Sequence, residues 1–268
     1  MSIVLITAVF AALLALVLGF ALGFFREFFF VAVDPLTANI REALPGANCG
    51  SCGYPGCDGY AGAVAKGEAG TGACTVGGSA VAAKLAALLG TDAVTITPAV
   101  SVLACRGSAE HAALKGEYSG VATCRAAKLS TGGTKLCAWG CLGYGDCRAV
   151  CKFGAISMGA DGLPVIDRDK CTGCKACVAE CPQALLKDVP VDRTGAMTRC
   201  SNRNPVRGAV RKACTAGCIK CEVCVKNCPV NCITMENGIP LVDYAKCTSC
   251  GTCAEKCPVK VMRLLKIA

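Results

Sequence analysis

Cys171-Thr-Gly-Cys174-Lys-Ala-Cys177-Val-Ala-Glu-Cys181-Pro182 and Cys247-Thr-Ser-Cys250-Gly-Thr-Cys253-Ala-Glu-Lys-Cys257-Pro258 decide how this chain folds. Both are C-x2-C-x2-C-x3-C-P runs, in which three thiolates of one short loop grip an iron–sulfur cube and the fourth reaches a neighbouring cube. Cys218, Cys221, Cys224, Cys228 and Pro229 repeat the spacing. Tetrahedral zinc needs neither the third cysteine nor the proline. An expanded version, Cys137-x3-Cys141-x5-Cys147-x3-Cys151, carries Lys152 where proline is expected.

Outward from these runs the chain repeats itself. Gly162-Leu-Pro-Val-Ile-Asp167 precedes Lys170-Cys171 as Gly238-Ile-Pro-Leu-Val-Asp243 precedes Lys246-Cys247. This pairs the runs into two tandem ferredoxin modules of the bacterial two-cluster type. Crossing the fourth cysteine of each run assigns Cys137, Cys141, Cys147 and Cys181 to one [4Fe–4S] cluster and Cys151, Cys171, Cys174 and Cys177 to the next. The second module assigns Cys218, Cys221, Cys224 and Cys257, then Cys228, Cys247, Cys250 and Cys253. Cys214-x3-Cys218-x5-Cys224 also reproduces the spacing of Cys137, Cys141 and Cys147, so Cys214 competes with Cys221 as ligand, and Cys221 completes the standard run. Cys232 aligns with Ala155 and is expected to be a small buried apolar residue. Cys105, Cys124, Cys200 and Cys214 are left over, as bystanders or as a sixth site.

Nearer the N-terminus, Cys49-Gly-Ser-Cys52-Gly-Tyr-Pro-Gly-Cys57 and Cys74 form a further quartet. Its spacing suits a cubane, with glycines for tight turns, and also a Zn(Cys)4 site. Stretch 80–89 predicts a helix capped by Gly90, and 99–104 a buried strand. His111 lies in a polar stretch and reads as a surface residue. No phosphate-binding loop, catalytic triad or carboxylate pair stands out, so no catalytic residue is assigned.

Between residues 3 and 25 there is no charge. At ~1.5 Å per residue the segment spans about 34 Å, enough for the ~30 Å hydrocarbon layer. No basic residue precedes it and the apolar run is long for a signal peptide. Arg26 and Arg41 follow it, so the positive-inside rule places the rest of the chain on the cytoplasmic side of a single-pass cell-membrane anchor.

The 268 residues carry a formal charge of +9 and 25 cysteines, with only 5% aromatics for a conventional core. Five oxidised clusters with their thiolates, each near −2, bring the charge to about −1. Lys and Arg are therefore read as charge compensation, and no nucleic-acid partner is expected. Arg199, Arg203, Arg207, Arg211 and Lys212 form a basic run. Pro205 argues for a loop there, either a solvated linker or a dock for an acidic partner. The expected class is α+β: a transmembrane helix (1–25), a linker (26–47), a small 4Fe–4S domain with an α/β extension (48–132), ferredoxin modules at 133–188 and 214–268, and a linker between them (189–213).

The membrane segment, the Cys49-Gly-Ser-Cys52-Gly-Tyr-Pro-Gly-Cys57 domain and the modules, one bearing Cys141-Leu-Gly-Tyr-Gly-Asp-Cys147, resemble the B subunits of Rnf complexes over essentially the whole chain. That resemblance implies one component of an ion-translocating ferredoxin:NAD+ oxidoreductase, a translocase. It implies soluble ferredoxin as electron donor, with NAD+, flavins and Na+ or H+ transport left to the other subunits. By itself the chain would be an electron carrier. The runner-up is a polyferredoxin subunit of another membrane oxidoreductase, such as a hydrogenase or reductase. A redox-sensing or structural metal-binding protein is a more distant alternative.

Overall fold

A computed structural model of the chain describes residues 2–29, 34–191 and 195–264. Parts of the two expected linkers, 26–47 and 189–213, and the last residues of the second expected module lie outside these. Helix α1 (Ser2–Phe28) is long and apolar enough to cross a membrane. It takes in Arg26 and Glu27 beyond the uncharged stretch, and its large apolar side chains are exposed along its length.

The next three helices pack around Tyr60. Helix α2 (Pro35–Ala43) starts with Pro35 in its first turn and the Asp34 carboxylate accepting from Thr37 N–H at 3.1 Å, which satisfies an otherwise orphan donor. Helices α3 (Gly56–Ala65) and α4 (Gly78–Leu89) join it, the latter ending at Gly90 in the left-handed conformation expected of a glycine cap. Ile40, Leu44, Val64 and Leu85 are buried between them, and the buried Tyr60 hydroxyl donates to Gly70 O at 2.7 Å.

The remaining elements are β1 (Ala99–Leu103), α5 (Cys124–Thr131), α6 (Asp146–Ala149), β2 (Ile156–Met158), β3 (Pro164–Ile166), α7 (Ala176–Glu180), β4 (Leu186–Pro190), β5 (Ala196–Thr198), α8 (Arg207–Ala213), α9 (Val223–Lys226), β6 (Ile233–Glu236), β7 (Ile239–Val242), α10 (Thr252–Glu255) and β8 (Met262–Leu264). Among the described residues the strands form four two-stranded antiparallel sheets. Two are hairpins, β2–β3 and β6–β7, whose second strands carry the repeated Gly-x-Pro-x-x-Asp segments. Asn237 and Gly238, both at positive φ, make the tight turn between Glu236 and Ile239, the geometry a two-residue hairpin requires.

The other two sheets close the modules, from strands that lie earlier in the chain than the cysteine runs suggest. Strand β1, expected in the extension of the first domain, pairs with β4, Leu103 facing Leu186. Strand β5, inside the expected linker, pairs with β8, Thr198 facing Met262. An unpaired β4 or β8 would leave its backbone groups without partners, and β1 and β5 supply them. Gly173 shows how closely β1 passes the Cys171 loop: it lies at positive φ, and a Cβ there would run into the carbonyl of Ala99. The basic stretch after β5 is likewise not a plain loop. Helix α8 begins just after Pro205 and carries Arg207 and Arg211, while Arg199 turns inward and is half-buried.

Candidate iron–sulfur centres

Cysteines supply much of the core in both modules, and among the described residues five cavities of similar size are lined by cysteines, four of them by a quartet and one by five. In the first domain, Cys49, Cys52, Cys57 and Cys74 surround about 320 Å³. The Asn48 side chain accepts from Cys57 N–H at 2.7 Å and so holds the loop against the start of α3, while Gly77 N–H points at Cys74 Sγ, 3.3 Å away. In the second module, Cys218, Cys221, Cys224 and Cys257 line about 330 Å³. Cys228, Cys247, Cys250 and Cys253, the quartet expected from the spacing, line about 310 Å³ together with Cys232. The fourth cysteine of each run thus crosses to the other run's cavity. Cys221 joins this module and Cys214 does not. Cys232 is buried as expected, and its Sγ lies 3.4 Å from Cys228 Sγ.

The first module departs from the expected grouping. Cys151, Cys171, Cys174 and Cys177 lie together: the Cys177 thiol is pushed up by burial and then by the charges of Cys171, Cys174 and Cys151. The companion cavity, about 400 Å³, is lined by Cys124, Cys141, Cys147 and Cys181, and Cys137 is not among its walls. Tyr144 stands where the second module has Cys221, so the fourth sulfur comes from outside the run. The Asp146 carboxylate accepts from Cys124 N–H (2.8 Å) and Arg125 N–H (3.0 Å), which fixes the first turn of α5 beside Cys147. Lys152, the residue in place of proline, donates to Asn48 O at 2.9 Å and ties this module to the first domain beside Cys49.

Cys137 lines a separate cavity of about 350 Å³ with Cys105, Cys200 and Cys214. Three of the four leftover cysteines therefore do converge, with Cys137 in place of Cys124. The segment around Ala112 brings them together: Ala113 N–H donates to Ala213 O (3.0 Å), Thr215 N–H to His111 O (2.9 Å) and Leu136 N–H to Ala113 O (2.8 Å). The strand-like stretch thus lies between the segments that deliver Cys137 and Cys214. His111 is no ligand here; its Nδ1 pairs with the Thr215 hydroxyl at 3.0 Å.

Burial pushes the Cys137, Cys147, Cys218 and Cys253 thiols up to about 11 and Cys141 to about 12, so a metal centre bound there would displace their protons. The donor sets fit [4Fe–4S] clusters on two grounds. Among the described residues, no three His, Cys, Asp or Glu side chains converge as a single ion requires, whereas zinc would draw its sulfurs to ~3.8 Å of one another. The buried side-chain atoms without a hydrogen-bond partner among the described residues are Thr172 Oγ1 and Lys220 Nζ. Both sit inside cysteine loops and would donate to sulfide or thiolate.

Comparison with known proteins agrees. Residues 44–76 match an Fe-S cluster family model, 164–187 a 4Fe-4S binding domain and 217–261 a 4Fe-4S dicluster domain. The chain is 41% identical over 220 residues to the B subunit of the Na(+)-translocating ferredoxin:NAD(+) oxidoreductase complex of Acetobacterium woodii, covering 82% of this chain and 66% of that protein's length. It is 41% identical to the B subunit of the proton-translocating ferredoxin:NAD(+) oxidoreductase complex of Clostridium ljungdahlii, covering 80% of this chain and 75% of that one. It is 37% identical to the B subunit of the ion-translocating oxidoreductase complex of Methanosarcina acetivorans, over 82% and 83% of the two chains. With iron–sulfur domains in register and two relatives matched over most of their length, the chain belongs to the family of B subunits of ion-translocating oxidoreductase complexes.

Proposed function

We propose that this protein takes electrons singly from reduced ferredoxin and relays them toward NAD+ reduction by other subunits of a membrane complex that moves Na+ or H+. Five [4Fe–4S] clusters are assigned to the quartets of the first domain and the two modules, with Cys124 as a ligand in place of Cys137. Helix α1 serves as a single-pass anchor with the cluster domains on the cytoplasmic side, in keeping with Arg26 and Arg41 beyond its apolar stretch. A bound cluster supplies one-electron storage without bond making or proton transfer. The chain's own residues hold it and bias its charge. Backbone N–H groups of Gly77, Leu185, Cys232 and Val261 point at ligand sulfurs from 3.3–3.5 Å, an arrangement that favours the more negative, reduced state.

The observation that carries this reading is the order of the quartets. Lys152 links the cluster loops of the first domain and the first module, and crossed fourth cysteines link the two sites within each module. The test is to isolate the native complex in detergent, identify its subunits and add reduced ferredoxin. The expected result is bleaching of the cluster absorbance by ferredoxin, in a complex whose other subunits bind NAD+ and flavin. Co-purification with hydrogenase subunits, or no bleaching by ferredoxin, would overturn it. Removing residues 1–28 should release a brown, reducible protein into the soluble fraction.

A further inference from the structure

Cys105, Cys137, Cys200 and Cys214 come from four separate stretches, and no matched family domain covers them. They nevertheless form two equivalent pairs. Cys105 lies two residues beyond β1 and Cys200 two residues beyond β5, the strands that close the two modules. Cys137 and Cys214 each open a C-x3-C step, into Cys141 and Cys218. The hydrogen bonds repeat the pairing. Cys105 Sγ accepts from Gly107 N–H (3.3 Å) and Cys141 N–H (3.5 Å), while Cys200 Sγ accepts from Asn202 N–H (3.5 Å) and Cys218 N–H (3.4 Å). Each module therefore contributes two cysteines to one cavity from corresponding places.

The surroundings suit an anionic centre. Cys137 Sγ accepts a further bond from the Asn202 side-chain amide at 3.4 Å. A Cβ on Gly107 would stand 3.6 Å from both Cys105 Sγ and Cys214 Sγ, so those sulfurs flank one glycine that leaves the space between them open. Arg106 of the first module reaches Val259 O (3.2 Å) and Lys260 O (2.8 Å) of the second, and Arg199 of the second reaches Leu103 O (3.2 Å) and Cys105 O (3.4 Å) of the first. Both arginines are among the residues that line the cavity, and their guanidiniums donate to carbonyls rather than carboxylates. The buried Lys135 ammonium donates to Gly107 O. Three cations around four sulfurs offset the charge of a cluster with its thiolates, which is near −2 when oxidised.

We propose that Cys105, Cys137, Cys200 and Cys214 hold a sixth [4Fe–4S] cluster that joins the two ferredoxin modules electronically. It rests on the electron-relay reading and extends it. The peptide N–H of Cys141, a ligand of the first module, touches one of its thiolates, and that of Cys218, a ligand of the second, touches another. A cluster held by these four cysteines would accept one electron from a reduced cluster of one module and give it to an oxidised cluster of the other, with no bond or proton changing place.

The test is the iron and acid-labile sulfide content of the full-length protein made anaerobically. It should hold about 24 of each per chain, and about 20 would overturn the proposal. Cys200→Ala combined with Cys214→Ala should lose about four iron and keep the remaining five clusters. Unchanged iron in this variant, or one zinc per chain lost with it, would overturn the assignment. Should the double variant fail to fold, Cys137→Ser keeps a weaker oxygen ligand, and the site then shows an altered EPR signal from one cluster only. An EPR spectrum identical to the parent's would refute it. Reduction by ferredoxin is scored separately: 24 iron without it defeats the relay reading alone, and reduction with 20 iron defeats the sixth site alone.

Discussion

The two ferredoxin modules have the same closing sheet, the same hairpin and the same crossed cysteines, yet they assemble the cysteine walls of their cavities differently. In the second, Cys218 and Cys221 both reach one cavity from a short loop, and Cys214 is released to another. In the first, Tyr144 stands in place of Cys221 and the fourth cysteine of the cavity wall is Cys124, carried on a helix that Asp146 pins beside Cys147. The excursion after β1 is longer than its counterpart after β5, which leaves room for α5 and for the stretch around Ala112. A cluster site thus constrains where four sulfurs end, and leaves open which turns carry them. The excursions also differ in charge: 106–123 mixes Glu110 and Glu117 with Arg106 and Lys115, whereas 201–213 carries Arg203, Arg207, Arg211 and Lys212 with no acid.

The largest effect expected is on iron content. Cys124→Ala with Cys200→Ala strikes two separate sites and should lose about eight iron, whereas Cys137→Ala with Cys200→Ala strikes one and should lose about four. The opposite pattern, read by iron analysis, would return Cys137 to the first module and erase the difference between the modules. Next comes the charge contrast. Arg203, Arg207, Arg211 and Lys212 are exposed, and replacing the three arginines by Gln should slow reduction by an acidic ferredoxin about tenfold at low ionic strength. The deficit should fade with salt, with iron content and reduction by a small neutral donor unchanged. Parent-like rates at low salt would place the docking face elsewhere. The smallest effect concerns Cys232, which faces Cys228 where the first module has Ala155. A thiol donating to a ligand sulfur stabilises the reduced cluster, so Cys232→Ala should lower one potential by about 40 mV, the equivalent of a ~1 kcal/mol hydrogen bond. A redox titration showing no shift, or a rise, would make Cys232 mere packing.

The residue spacing alone determined much of this protein: the membrane-length apolar segment, the first four-cysteine domain, the tandem modules and the crossing of the fourth cysteines. Each of these is a short-range pattern, in which a few residues dictate a turn, a helix or a loop that grips a cluster. The helix before Gly90 was legible for the same reason. Cys105, Cys124, Cys137, Cys200 and Cys214 were not. They stand outside any complete short run, and Cys137 mimics a module ligand because its spacing to Cys141 matches that of Cys214 to Cys218. Only the tertiary structure decided their places, through the pairing of β1 with β4 and β5 with β8, the capping of α5 by Asp146, and the stretch around Ala112 lying between two distant segments. Those contacts join residues far apart in the chain, where spacing carries no information and only the packing of backbone hydrogen bonds and buried sulfur fixes which cysteines meet.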